Sequence, residues 1–274
     1  MELEHIVILL ATGIAAGFAG GLLGVGGAFI MTPLQYIVYT GMGLSPDLAI
    51  LTAFATSLLV VLPTALSGAW RHHRQKSVQW KAAIVMGLCS MVVAFGGATL
   101  ATHLSATALK LAFGIIIILV GIRMLTAREP KYKIEAVASH WLWALWAVPL
   151  GFLSGVFGIG GGVVMVPVLV LALRFEIHYA IGTSLAVMIF TSIGGVLGYI
   201  VNGLGVPDRL PYSLGYVNLS SWLLLAVPAV FMAQIGAITA HKLPRRPLLY
   251  IFVLILFYMG LRTAGFFDWL GWPL

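Results

Sequence analysis

"GFAGGLLGVGGAFIMTP" occupies positions 17–33, and 134 residues later "GFLSGVFGIGGGVVMVP" occupies 151–167. Both stretches begin as apolar helix and run into glycines: Gly24, Gly26 and Gly27 in the first, Gly158, Gly160, Gly161 and Gly162 in the second. Each glycine lowers helix stability by up to about 1 kcal/mol, so clusters this dense are expected to break the helix. Length argues the same way. Residues 5–40 as one helix would extend about 54 Å at about 1.5 Å per residue, against a hydrocarbon core of about 30 Å. The expectation is two short helices joined at the glycines, a hairpin that returns to the side it entered from.

The rest of the chain says what surrounds such a hairpin. Of the 274 residues, 61% are hydrophobic and only 8% charged, and the mean hydropathy is +1.06. A soluble surface needs about a quarter of its residues charged, so the chain is read as an all-α polytopic membrane protein. Unbroken apolar runs such as Ile84 to Ala101 and Leu111 to Ile122 exclude a barrel, whose strands alternate over about 10 residues. The net charge of +7 sits in short loops, where Lys and Arg orient a protein in the lipid bilayer; it is not a nucleic-acid signal. Cys89 is the only cysteine, which excludes an intramolecular disulfide. The start, "MELEHIVILL", carries two acids and no basic residue, so it reads as a retained segment and not as a secretory signal.

The glycine stretches open two copies of one unit. Further on, "ATSL" at 55–58 answers "GTSL" at 182–185, Thr64 answers Thr191, Trp80 answers Trp222, and "GIRML" from Gly121 answers "GLRTA" from Gly260. The offset drifts between 127 and 142 while the order holds, which points to a duplicated half. The halves are expected at 1–126 and 141–274, joined by a polar cytoplasmic linker at 127–140. Each would hold a hairpin (5–40 and 141–173) and three ordinary spans: 48–69, 82–102 and 107–125, then 178–200, 220–240 and 247–266. If both hairpins return, the second half is inverted. Twelve of the fifteen Lys and Arg then share the side of the 71–81 loop, leaving Lys110, Arg209 and Arg262 opposite. Single crossings would divide them ten to five. The positive-inside rule favours the hairpins, in a cytoplasmic membrane with both termini outside. Inverted repeats with broken helices are the pattern of secondary transporters whose site lies between the halves.

The paired "GxxGGLLGVGG" and "GxxSGVFGIGGG" motifs, each followed by Pro and then by "ATSL" or "GTSL", resemble the TauE/SafE family over essentially the whole chain. The resemblance implies an exporter of sulfite or an organosulfonate, or a permease for a related anion. One departure is that Ala28 stands where the second copy has Gly162, so the two tips need not contribute equally.

Candidate substrate-binding residues follow from what a small anion needs. Gly24, Gly26, Gly27, Gly158, Gly160, Gly161 and Gly162 would expose backbone N–H groups at the positive end of a half-helix. Gly13, Gly17, Gly21, Gly151 and Gly155, spaced four apart, read instead as helix-packing positions. Thr56, Ser57, Thr183 and Ser184 lie about eight or nine residues into their spans and offer hydroxyl donors; the competing reading is that they bond their own helix carbonyls. Thr52, Thr64, Thr191 and Gln35 are weaker candidates, and Gln234 reads as a bond to a neighbouring helix. Arg123 and Arg262 are expected to snorkel to the interface, and Trp141, Trp143 and Trp146 to mark it. His103 and His241 sit at span ends, where an interfacial role is expected in place of a metal site. No cofactor is implied: neither tip has the Gly-Lys-Ser/Thr of a Walker A loop, and a dinucleotide fingerprint needs a soluble strand–turn–helix.

All eight acids fall in tails, loops or span boundaries, so no carboxylate is placed for proton coupling within the membrane. An anion leaving the cell needs none. One negative charge moving outward gains about 2.3 kcal/mol per 100 mV. Ion-coupled uptake of a sulfonate remains the rival within transport. An intramembrane enzyme would need aspartates or a Ser–His pair at depth, and a scaffold would need no hydroxyls beside two helix breaks. The sequence leaves the anion, the direction of flow and an oligomer open.

Overall fold

The computed structural model describes residues 2–126 and 139–240, with 253–254, 257–258 and 260–263. Most of the 127–140 linker, most of the expected span at 247–266 and His241 lie outside the described residues. The elements are α1 (Leu3–Leu23), α2 (Ala28–Gly41), α3 (Pro46–Arg74), α4 (Trp80–Ala101), α5 (Ala106–Thr126), α6 (His140–Phe157), α7 (Gly162–Leu171) and α8 (Ile177–Gly203). A two-residue antiparallel ribbon, β1 (Ser213–Leu214) and β2 (Val217–Asn218), then leads into α9 (Leu219–Ala240). Among the described residues α1, α3, α4, α5, α6, α8 and α9 are each long and apolar enough to cross a bilayer. The chain is a polytopic helical membrane protein.

Both glycine clusters break the helix. Gly24 ends α1 in the left-handed region and sends its N–H to Gly20 O at 2.9 Å; Gly27, also left-handed, opens α2. Gly158 ends α6 and Gly161 opens α7, both left-handed, and Gly26 and Gly160 have positive φ too. An L side chain there costs roughly 1–2 kcal/mol, which explains why the six left-handed positions are glycine. Gly162 differs. It is the first residue of α7, and glycine is required there by space, since an added Cβ would stand 2.7 Å from Val25 Cα of the other tip.

The first arms are longer than expected. At 21 and 18 residues, α1 and α6 are each long and apolar enough to cross a bilayer, where short helices are expected from the sequence. The reason is packing. Gly13, Gly17 and Gly21 stay helical because they lie on the α9 backbone at Leu225, Ala229 and Ala233, and Gly151 and Gly155 lie on α4 at Ser90 and Ala94. Close backbone approach of this kind offsets the weak helix propensity of glycine. The return is visible in α2, whose last residue, Gly41, lies beside His5 in the first turn of α1, while Gly27 rests on Ala16. In the second copy α6 and α7 are splayed, and a cavity of about 380 Å³ lies between them and α5, lined among others by Trp146, Leu153, Val164, Val168, Ile116 and Arg123.

Contacts between the halves come in reciprocal pairs. Gly24 meets Ile181 and Gly158 meets Phe54, the residue 127 positions before Ile181. Gly68 meets Leu185 and Gly195 meets Leu58, so α3 and α8 cross antiparallel at the centre of the molecule. Buried Phe54, Leu58, Val61, Leu185 and Met188 form this crossing. At the ends, Ser45 accepts from Leu48 N ahead of Pro46 to start α3, and Arg71, His72, His73 and Arg74 crowd its last turn. Cations there complement the negative end of the helix dipole. Asp47 accepts from Ala106 N and so caps α5 as well. One expectation is corrected: Trp143 is 3% exposed and packs in the core, because it sits on the α4-facing side of α6, whereas Trp141 is 86% exposed.

Candidate functional site

The two breaks meet. An added methyl on Gly160 would stand 2.8 Å from Val61 Cγ1 and 3.1 Å from Met188 Cε, and Gly26 faces the same two side chains. Gly162 completes the contact against Met188 Sδ and Val25. Val61 and Met188 are themselves 127 residues apart, one from each half. Everything from Gly24 to Met31 and from Ser154 to Val163 is buried, so in this conformation two apolar side chains seal the junction from water.

The four hydroxyls do not all converge there. Ser184, 0% exposed, donates to Gly24 O at 3.0 Å and to Ile181 O at 2.9 Å, so it belongs to the first tip. Ser57 instead accepts from Thr32 Oγ1 at 3.1 Å and from Gln35 Nε2 at 2.7 Å, both on α2. Thr56 accepts from Asn218 N and Thr183 from Gln79 N, each at 3.0 Å. These two threonines therefore do equivalent work in the two halves, holding the chain that leads into α9 and into α4.

Around Ser57 stands a buried polar cluster that the second half does not repeat among the described residues. Tyr39 OH donates to Gln35 Oε1 at 2.9 Å, and Thr32, Gln35, Tyr39, Thr56 and Ser57 are all 0% exposed. The positions 134 residues on, Val166, Leu169 and Leu173, are apolar. Asn218, which bonds Thr56 through its N–H, also lines a cavity of about 260 Å³ with Met42, Leu210, Pro211, Tyr212 and Ser220. Beside that cavity, burial raises the Tyr216 phenol pKa, and nearby Arg209 opposes the shift.

Reading glycines and hydroxyls from the sequence misses Val61, Met188, Asn218 and Ser154. The last is 1% exposed, its hydroxyl has no partner, and it stands 3.6 Å from where a Cβ on Gly161 would be. The repeat offset could have exposed the Val61/Met188 pairing, and the exchange of Gly20 for Ser154 was visible in the motif. Of the remaining candidates, Gln234 Nε2 donates to Ser67 Oγ across the α9–α3 contact. Thr64 and Thr191 bond carbonyls of their own helices. Arg262 Nη1 donates to Tyr258 OH, and Arg123 is exposed at the rim of the α5–α6–α7 cavity.

Comparison with known proteins agrees on the class. The sequence model described as "Sulfite exporter TauE/SafE" matches residues 9–263. A probable membrane transporter protein of Methanocaldococcus jannaschii, MJ0441, is 31% identical over 95% of this chain and 97% of its own length. Probable membrane transporter proteins of Haemophilus influenzae and of Bacillus subtilis (YunE) are each 27% identical, over 94% and 93% of this chain and 97% and 95% of theirs. No solved structure matches the chain significantly. With near-complete coverage on both sides and the glycine tips inside the matched region, the chain belongs to the TauE/SafE family of membrane transporters.

Proposed function

We propose that this transporter exports sulfite or an organosulfonate across the cytoplasmic membrane, as two inverted repeats with both termini outside and the anion passing between the hairpin tips. The observation that carries the reading is the junction itself. Two helix breaks from opposite halves touch at Val61 and Met188, and each break opens a helix whose N-cap, Gly27 or Gly161, has no side chain to satisfy the first amides. Such amides at the positive end of a helix favour an anion. The antiparallel crossing of α3 and α8 supports opposite access to the two tips, and Met188, unbranched and flexible, is the side chain at the junction that moves most easily. Export needs no coupling ion, because about 2.3 kcal/mol per 100 mV of inside-negative potential sustains roughly a 50-fold gradient of a monovalent anion.

The test is flux in proteoliposomes under an imposed potential, with sulfite in one arm and methanesulfonate in the other. The expected result is efflux that rises with inside-negative potential and is lost in Met188→Trp, where the larger ring cannot leave the junction. Flux indifferent to potential sinks export driven by charge. Flux that requires a sodium gradient turns the reading to ion-coupled uptake.

A further inference from the structure

We propose that the anion site is lopsided, with Ser154 and the opening amides of α7 binding the sulfur oxyanion at the second tip while the first tip binds none. The inference rests on the reading just given and assigns its chemistry to one hairpin. It begins with an unspent hydroxyl: Ser154, Ser192 and Ser221 all bury one without a partner, and of the three Ser154 stands against a tip glycine. Serine and threonine in membrane helices ordinarily return their hydroxyl to a carbonyl three or four residues back, as Thr12, Thr64, Ser90, Ser184 and Thr191 do here. Ser154 does not. Its Oγ is buried without a partner and faces Gly161, the N-cap of α7. Burying an unmet donor costs stability, so an occupant that accepts from it recovers the loss.

The amides beside it are equally unspent. The first bonds of α7 run from Val164 N and Met165 N to Gly161 O, so the N–H groups of Gly162 and Val163 precede the hydrogen-bond ladder. The other side chains against Gly160, Gly161 and Gly162 are Val61, Met165 and Met188, all apolar. Two amides and one hydroxyl match in number the three oxygens that hydrogensulfite or a sulfonate presents on one sulfur.

The first tip opens its helix in the same way, with Ile30 N and Met31 N bonding Gly27 O, but it lacks the hydroxyl. Gly20 stands where the second copy has Ser154, and even a methyl there would come 2.9 Å from Gly26 C and Gly27 N, so no hydroxymethyl fits. Gly24 N closes on Gly20 O, whereas Gly158 N makes no corresponding bond to Ser154 O. The one hydroxyl that reaches the first tip, Ser184, is spent on Gly24 O and Ile181 O.

The test uses the full-length protein in nanodiscs, titrated calorimetrically with the choline salts of sulfite and of methanesulfonate. Ser154→Ala is expected to weaken binding about tenfold or more while Ser184→Ala stays within about twofold. Thermal stability of the ligand-free Ser154→Ala protein should be unchanged or higher, since an unmet donor is gone. Ser154→Cys keeps the shape and weakens the donor, so it shows the same loss if the hydroxyl touches the anion. Unchanged affinity in Ser154→Ala or Ser154→Cys, equal losses in the Ser154 and Ser184 variants, or a Ser154→Ala protein that fails to fold overturns the lopsided site. A wild-type protein that binds neither anion overturns the anion reading beneath it.

Discussion

At the first tip, Gly24 N closes on Gly20 O at 2.9 Å and Ser184 reaches in from α8 to hold Gly24 O. At the second, Gly158 makes no such closure, and Ser154 keeps a buried hydroxyl that bonds nothing. The backbones are alike: left-handed glycines at matching positions, each tip resting on the central helix of the opposite half at Ile181 or Phe54. What differs is side-chain chemistry. The first hairpin carries Thr32, Gln35 and Tyr39 against Ser57, and the second carries Val166, Leu169 and Leu173. Both breaks are built from glycine because only glycine adopts the left-handed conformation cheaply. The polar groups differ: the first hairpin's are bonded within the protein, and the second keeps the unbonded Ser154 hydroxyl.

The strongest way to break this comparison is to attack what the halves share. Gly17 lies on the α9 backbone at Ala229 and Gly155 on the α4 backbone at Ala94. Overpacking of a tight seam costs about 1–3 kcal/mol where side chains can move, and here the obstacle is backbone. Gly17→Val and Gly155→Val should each cost at least about 3 kcal/mol or fail to yield monodisperse protein, as size-exclusion chromatography reads. A seam that tolerates valine on one side only would show that the halves do not pack equivalently.

A smaller effect separates the polar hairpin from the apolar one. Gln35→Leu installs the residue that the second half has at Leu169, yet it strips Tyr39 OH of its acceptor and Ser57 of its 2.7 Å donor. Losing those buried bonds should cost about 1–3 kcal/mol, measured by thermal unfolding in nanodiscs. Anion affinity should stay put, because the cluster is satisfied internally. A fall in affinity with stability intact would move the binding role to the first hairpin.

The breaks were legible in the sequence because their cause is local: positive φ needs glycine, and the glycines cluster. The packing role of Gly13, Gly17 and Gly21 was legible from their spacing of four, but that their partner is the α9 backbone was not. Gln35 stood out only weakly, since its partners Ser57 and Tyr39 are brought to it by the fold. Ser154 read as one more small residue in a glycine-rich face, and nothing local says that its hydroxyl goes unbonded. The pairing of Thr56 with Asn218, 162 residues apart, depends wholly on where the ribbon before α9 comes to rest. Sequence period and propensity report neighbours along a helix; long-range partners require the packed molecule.

The smallest predicted effect contrasts the two matched tryptophans. Trp222 Nε1 donates to Leu59 O at 3.1 Å. In an α-helix that carbonyl would accept from the residue four places on, which here is Pro63, and proline has no N–H. Trp222 thus satisfies a carbonyl that α3 itself cannot. The second half has Phe190 where the first has Pro63, so α8 leaves no such gap, and Trp80, 39% exposed, bonds the His73 ring instead. Trp222→Phe should therefore cost about 1 kcal/mol and Trp80→Phe less than about 0.5 kcal/mol in thermal or denaturant unfolding. Pairing Trp222→Phe with Pro63→Ala sharpens the point. The alanine restores the missing N–H, so the cost of losing the indole in that background should shrink toward zero, a coupling that a double-mutant cycle reads directly. Costs that simply add would mean that the indole matters for its bulk and not for the orphaned carbonyl.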